Sequence, residues 1–177
     1  MSNSWYQELS PTDPISQGDI FYPSIHIYNT IPATVTEVDM EPEVENFSAP
    51  VIILTQACDL ENEPIVEFVV VSVLRSINDL PWSTVSSIMA GRRPAYHLLN
   101  EYHSDTSNFP FHIVNFSDLH TIPYTFLDAM RQHIQTRLRL QSPYLEQTAQ
   151  RFGSYFSRIG LPQDIDKDRV KAFWKNQ

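Results

Sequence analysis

The chain has 177 residues, with 21 acidic and 12 basic side chains and a net charge of −9. This length suffices for one domain whose hydrophobic core needs neither disulfides nor a structural metal. A single cysteine excludes an intrachain disulfide and a cysteine-rich zinc site. The first residues, "MSNSWYQEL", lack the basic and apolar regions of a signal peptide, and no apolar run reaches about 18 residues. We therefore expect a cytoplasmic protein without a membrane span. Because glycine-rich phosphate-binding motifs are absent, we predict no cofactor.

The charges are distributed unevenly along the chain. Residues 1–74 contain twelve acids and no lysine or arginine, and every basic side chain follows from Arg75 onward. An acidic surface repels phosphates, so we predict that the acidic half contacts a protein, and that any RNA contacts the basic half. The acids assigned to binding are Asp59, Glu61, Glu63, Glu41, Glu43 and Glu45. The alternative is that these acids are solvated and only aid solubility.

The first 74 residues predict strands. Proline-rich residues 1–16 are expected to form an extended arm, attached to the body by Trp5 and Tyr6. The stretch "GDIFYPSIHIYN" alternates apolar residues around Pro23, which predicts a strand pair or a bulged strand. "TVTEVDMEPEVENF" predicts a charged edge strand or a loop. "PVIILTQA" and "PIVEFVVVSVL" are nearly all apolar, which predicts two buried strands paired as a hairpin.

The second half is more mixed. Residues 77–90 indicate a short helix or loop, and strands are expected at 96–99 and 111–116. "RQHIQTRLRL" is compatible with helix or strand; on a strand, Arg137 and Arg139 share a basic face that suits nucleic acid.

An amphipathic helix is predicted at residues 143–159, with Ser142 as N-cap and Gly160 after its end. Its apolar stripe is Leu145, Ala149, Phe152, Phe156 and Ile159. The predicted organisation is an arm at 1–16, one domain at 17–162 and a charged tail at 163–177. The fold class is α+β to mostly β, with an antiparallel sheet and this C-terminal helix.

The order "QGDIFYPSI", "APVIILTQACDLEN" and "IVEFVVVSVL" resembles the MazF/PemK-like family of bacterial toxins. In the resemblance, Gly18-Asp19-Ile20 corresponds to the first family strand and residues 50–55 to the second. It implies a small SH3-like β-barrel, a capacity to form homodimers, and sequence-specific endoribonuclease activity controlled by an antitoxin.

The chain departs from that family in its basic residues. Cleavage needs a cation near the first strands to stabilise the charge on the scissile phosphate. Here Gln17 precedes Gly18, and Arg75 is the first basic residue. We therefore favour a non-catalytic binding or regulatory subunit of a toxin–antitoxin or defence-type system. The alternative is an endoribonuclease with a relocated site, for which the candidate catalytic residues are Arg92, Arg93, His97 and Thr55.

Cys58 offers a weaker alternative, a cysteine-dependent hydrolase with His97 or His112 as base. The neighbouring acids Asp59 and Glu61 disfavour a thiolate. They favour the interpretation of Cys58 as a small buried residue packed at the end of a strand, with Asp59 capping the turn; a metal or redox role is a further alternative. His97 and His103, beside Glu101 and Asp105, lack the tight spacing of known metal motifs, so no metal site is assigned.

Overall fold

The computed structural model describes residues 4–31, 43–61, 66–134 and 137–157. The strands are β1 (Tyr6–Leu9), β2 (Asp19–Ile31), β3 (Glu43–Ile53), β4 (Phe68–Ser76), β5 (Tyr96–Leu99), β6 (Tyr102–His103), β7 (Asn108–Phe109), β8 (His112–Pro123) and β9 (Arg137–Leu140). The α-helices are α1 (Ala57–Glu61), α2 (Trp82–Met89), α3 (Tyr124–His133) and α4 (Tyr144–Phe156). None of the helices in these ranges is long and apolar enough to cross a membrane.

Seven strands form one antiparallel sheet in the order β1-β9-β2-β3-β4-β8-β5, and β6 pairs with β7 beside it. The mostly β, antiparallel class predicted from the sequence is confirmed. β3 is the central strand, and Val51, Ile52 and Ile53 are fully buried because both sheet faces are covered. β3 and β4 pair antiparallel, as predicted for the two apolar segments. Their connection is longer than a tight turn, since it contains α1.

Pro23 interrupts the pairing of β2 with β3. The register shifts between Phe21 and Ile25, on either side of the proline. Proline has no N–H to donate to a neighbouring strand, so a bulge is the accommodation expected at this position. Of the two predicted alternatives, a strand pair or a bulged strand, the structure has the bulged strand. The segment 32–42, where a charged edge strand or loop was predicted, lies outside the described residues, and Glu43–Ile53 belongs to β3.

Alternating side chains of the central strands build a core on each face of the sheet. One face packs against α1 and α3 and includes Phe21, Val51, Ile53, Val69, Val71, Leu60 and Leu127. The other packs against α4 and includes Ile20, Ile52, Leu138, Leu140, Phe116, Leu145 and Phe152. Because successive residues of a strand point to opposite faces, continuous apolar runs are required for a strand covered on both sides.

The N-terminal segment is an edge of this sheet, since β1 pairs with β9. The Tyr6 hydroxyl donates to the Asn100 carbonyl at 2.6 Å, which brings the β1 edge close to the end of the opposite edge strand, β5. The Thr106 hydroxyl donates to Glu8 at 2.8 Å, and Ser104 also donates to this carboxylate. The sheet is therefore curled. Tyr6 is buried, as expected for an attachment point.

Helix α4 begins at Tyr144, and Pro143 rather than the predicted Ser142 occupies the cap position. Leu145 and Phe152 pack on the sheet, whereas Phe156, assigned to the apolar stripe, is 52% exposed. Thr148 is buried in the stripe instead, because its hydroxyl is satisfied by the Tyr144 carbonyl at 2.9 Å. Ile159, Gly160 and the tail at 163–177 lie outside the described residues.

Candidate functional site

Gly18 and Asp19, which carry the first part of the family resemblance, have structural roles. Gly18 has φ +80°, a left-handed conformation that favours glycine, and a Cβ there would lie 2.7 Å from Leu145 Cδ1 of α4, so a side chain would strain the backbone and displace Leu145. The Asp19 carboxylate is fully buried between two arginines of β9. Arg137 Nη1 donates to it at 2.6 Å and Arg139 Nε at 2.5 Å.

Burial raises the pKa of the Asp19 carboxyl, whereas hydrogen bonding and the charges of Arg139 and Arg137 lower it. The same two arginines donate to the carbonyls of Asp13 and Pro14, at 2.5 and 2.6 Å, and so fix the segment that precedes β2. Arg137 and Arg139 do lie on one face of a strand. The prediction that this face suits nucleic acid is wrong for Arg137, whose side chain is buried and paired internally.

Thr55 closes the end of β3 onto β4. Its hydroxyl accepts the Val70 N–H at 2.7 Å, and the Leu54 N–H donates to the Val70 carbonyl at 2.9 Å. The Thr55 side chain thereby replaces a backbone acceptor where the regular ladder stops. This bond gives Thr55 a structural role at the strand end.

Cys58 lies in α1 and is exposed, so its predicted role as a buried packing residue is wrong. The reason is the direction of the short helix, which buries Leu60 and turns Cys58 outward. The Cys58 thiol lies 3.7 Å from Gln56 Oε1 and 3.7 Å from Asp59 Oδ1, so its immediate neighbours are polar oxygens.

The acids assigned to partner binding divide into three groups. Asp59 and Glu61 are exposed on α1. Glu43 and Glu45 are on β3 and pair in register with Ile31 and Asn29, but their side chains are not among those described. Glu63 and Glu41 lie outside the described residues.

An open groove lies between the start of β4 and the start of α3, with a volume of about 780 Å³. It is lined by Val66, Glu67, Phe68, Pro123, Tyr124, Thr125 and Asp128. Phe68 is 51% exposed, which is high for a large aromatic side chain on a central strand. Val66 and Tyr124 pack on the same core cluster as Leu60 of α1, so the groove and the exposed acids of α1 share one face of the molecule.

A second cluster surrounds the turn between α2 and β5, where the exposed Arg92 and Arg93 follow Gly91. Arg151 of α4 reaches this turn: its Nη1 donates to the Tyr96 carbonyl at 3.3 Å and lies 3.4 Å from His97 Nδ1. The structure therefore places Arg151 in contact with His97 and beside the turn that carries Arg92 and Arg93. The sequence separates Arg151 from His97 by 54 positions, so no local pattern indicated their contact.

His97 is buried at 4% exposure. Burial, together with the charge of Arg151, lowers the pKa of His97 from 6.5 to about 4, so the imidazole is neutral at pH 7. A neutral ring that accepts from Arg151 at Nδ1 carries its proton on Nε2. Nε2 is buried and has no hydrogen-bond partner within the described part of the chain. Such a ring has little access to a substrate as an acid or base.

The remaining candidates do not join this cluster. β4 and β8 lie between β3, which ends just before Thr55, and β5, which carries His97, a separation of about 14 Å at the usual strand spacing. Cys58 is on the face covered by α1 and α3, opposite α4. His103 is exposed and pairs with Glu101 at 3.2 Å. In the described ranges, no three His, Cys, Asp or Glu side chains are placed to hold a metal ion.

Comparison with known proteins adds no assignment, because no protein-family model and no curated protein sequence matches the chain.

Proposed function

We propose that the chain is a MazF/PemK-like binding or regulatory subunit of a bacterial toxin–antitoxin or defence-type system, and that it acts through protein–protein contacts rather than catalysis. The proposal includes the finer fold assignment, a small SH3-like barrel with a C-terminal helix. Its support is the curled antiparallel sheet, in which Tyr6 at one edge bonds Asn100 next to the other.

The observation that carries the proposal is the combination of exposed acids and an apolar groove on one face. Asp59 and Glu61 of α1 and Glu67 beside the groove are exposed. None of these three carboxylates forms an ion pair with a basic side chain of the described ranges. Unpaired surface acids on α1, together with Glu67 beside a groove lined by the exposed Phe68, suit a partner segment that is basic and carries an apolar anchor.

The scatter of the candidate catalytic residues also favours binding. Acid–base catalysis requires its groups within hydrogen-bond reach of one reacting atom. Thr55 is engaged by the Val70 N–H, Cys58 lies on the opposite face of the sheet from α4, and His97 is buried. These positions support a molecule that holds a partner and does not cleave RNA.

The experiment is a direct binding measurement between the purified chain and the products of neighbouring genes. The test variant is Asp59→Lys/Glu61→Lys combined with Phe68→Ala. The control variant is Asp105→Lys/Glu146→Lys, which reverses two exposed acids away from the groove. We expect the test variant to lose partner binding, the control to retain it, and added salt to weaken the wild-type complex.

Two outcomes contradict the proposal. RNA cleavage by the purified wild-type chain would show that it is an enzyme. Equal binding by the test and control variants would show that the acids of α1 and Phe68 do not form the contact surface.

A further inference from the structure

Three arginines that have no carboxylate partner in the described ranges lie in or beside the turn between α2 and β5. Of the seven arginines in the described ranges, Arg75, Arg131, Arg137 and Arg139 each pair with an aspartate. The other three, Arg92, Arg93 and Arg151, form no ion pair with a described carboxylate, and they occupy one region. The chain has nine more acidic than basic side chains, so three arginines without a described acidic partner are unexpected. Their positive charge favours the binding of an external anion.

The geometry holds one of these cations in place. Arg151 donates through Nη1 to the Tyr96 carbonyl at 3.3 Å, and its Nη2 lies 3.7 Å from where a Cβ at Gly91 would stand. The guanidinium therefore rests against the turn that carries Arg92 and Arg93. A guanidinium fixed in advance loses less conformational entropy when it binds an anion.

The backbone N–H groups at this turn are already used within the end of α2, so an anion there would be held by the arginine side chains. The Gly91 N–H donates to Ile88 O at 2.9 Å and the Arg92 N–H to Ser87 O at 2.9 Å, so the last turn of α2 is already capped. His97, which contacts Arg151, adds no positive charge at pH 7 because burial and the charge of Arg151 lower its pKa to about 4. The positive charge at the turn thus belongs to the three arginines.

We propose that Arg92, Arg93 and Arg151 form a binding site for the phosphate group of a small phosphorylated molecule. This site is separate from the acidic face and does not depend on the proposed function.

The number of arginines favours phosphate over carboxylate. Within this same chain, the Asp19 carboxylate, with two oxygens, is occupied by the two arginines Arg137 and Arg139. A third guanidinium suits an anion with a further oxygen and a higher charge, which a phosphate provides. A small ligand is favoured over nucleic acid. A nucleic acid would extend beyond the three arginines and be repelled by the rest of the chain, whose net charge is −9 overall.

The test is titration calorimetry of the full chain with pyrophosphate, inorganic phosphate, acetate and a single-stranded RNA octamer. We expect saturable binding of pyrophosphate with a Kd of about 1 mM or tighter, and weaker binding of acetate. Arg92→Gln/Arg93→Gln, two exposed positions, should weaken pyrophosphate binding about tenfold or more. Arg75→Gln is the matched control, since Arg75 is exposed but pairs with Asp118, and it should leave binding unchanged.

A second measurement locates the ligand. The imidazole NMR signals of His97 should shift as pyrophosphate is added, because Arg151 Nη1 lies 3.4 Å from His97 Nδ1. Absence of pyrophosphate binding, equal binding by the Arg92/Arg93 variant and the control, or binding of the RNA octamer alone would each overturn the proposal. None of these results bears on the partner-binding experiment, which uses other residues.

Discussion

Replacement of Asp19 by asparagine tests how the sheet is held to the segment before β2. Asparagine keeps the shape of the side chain and removes the charge that Arg137 and Arg139 share. Arg137 is completely buried, so the substitution leaves a buried guanidinium without a counterion. Removing one partner of a buried ion pair costs about 3 to 5 kcal/mol, because the desolvation of the remaining charge is no longer offset.

The magnitude is large against the whole stability of a domain, typically about 5 to 15 kcal/mol. At about 2 to 4 °C per kcal/mol for a chain of this size, Asp19→Asn should lower Tm by roughly 6 to 20 °C. Urea unfolding followed by circular dichroism measures the loss directly. Asp118→Asn is the control, because Asp118 pairs with an arginine at the surface, where such pairs contribute about 0 to 1 kcal/mol.

A double variant separates the lost charge pair from general damage. Asp19→Asn/Arg137→Met removes both the carboxylate and the fully buried guanidinium, and leaves only Arg139, whose side chain is 22% exposed, without its carboxylate. It should therefore be more stable than Asp19→Asn alone. The reasoning fails if Asp19→Asn costs no more than Asp118→Asn, or if adding Arg137→Met causes a further loss as large as the first.

Three other substitutions have definite expected outcomes. Gly18→Ala should cost about 2 kcal/mol in urea unfolding, since φ is +80° and the new Cβ meets Leu145 at 2.7 Å; a neutral result would contradict the packing described. Thr55→Val should lower the free energy of unfolding by about 1 kcal/mol in the same assay, because the Val70 N–H loses its acceptor. Cys58→Ser changes an exposed position, so it should change the free energy of unfolding by no more than about 0.5 kcal/mol and keep partner binding.

The pH dependence of stability supplies a further prediction, centred on His97. Its pKa is about 4 in the folded chain and 6.5 ordinarily, so between these values the unfolded chain binds more protons. The contribution of the neutral His97 ring to the free energy of unfolding is therefore fully present above pH 6.5. It decreases by about 3 kcal/mol as the pH falls towards 4. The urea midpoint of His97→Gln should fall less steeply over this range than that of His103→Gln, an exposed control. Equal slopes would refute the assignment.

Local sequence predicted much of the strand content correctly. The apolar runs that became β3 and β4 require burial on both faces, and the structure covers both. Pro23 lacks an N–H, so a break in the pairing at that point followed from its chemistry. These features depend on side-chain type and on periods of two to four residues, which a sequence displays directly.

The candidate site was less accessible to the same reasoning. Arg92, Arg93 and His97 are neighbours in sequence and stood out as a group, but Arg151, which completes the cluster, lies on a helix in another part of the chain. The burial predicted for Cys58 was wrong because its exposure depends on which side of α1 faces the core. Leu60 lies on that side, and Cys58 does not. A five-residue helix has too few positions for its periodicity to indicate the buried face.

The residue types and their spacing were sufficient to predict an antiparallel β-rich domain, its central apolar strands, an interruption at Pro23 and an acidic first half. Three contacts between distant parts of the chain became visible only in the fold: Asp19 meets Arg137 across 118 positions, Tyr6–Leu9 pairs with β9, and Arg151 lies against the turn after α2. Short-range patterns specify which side of a long helix or strand is buried. They do not specify the element packed against it, because that choice depends on the combined burial and charge pairing of the whole chain.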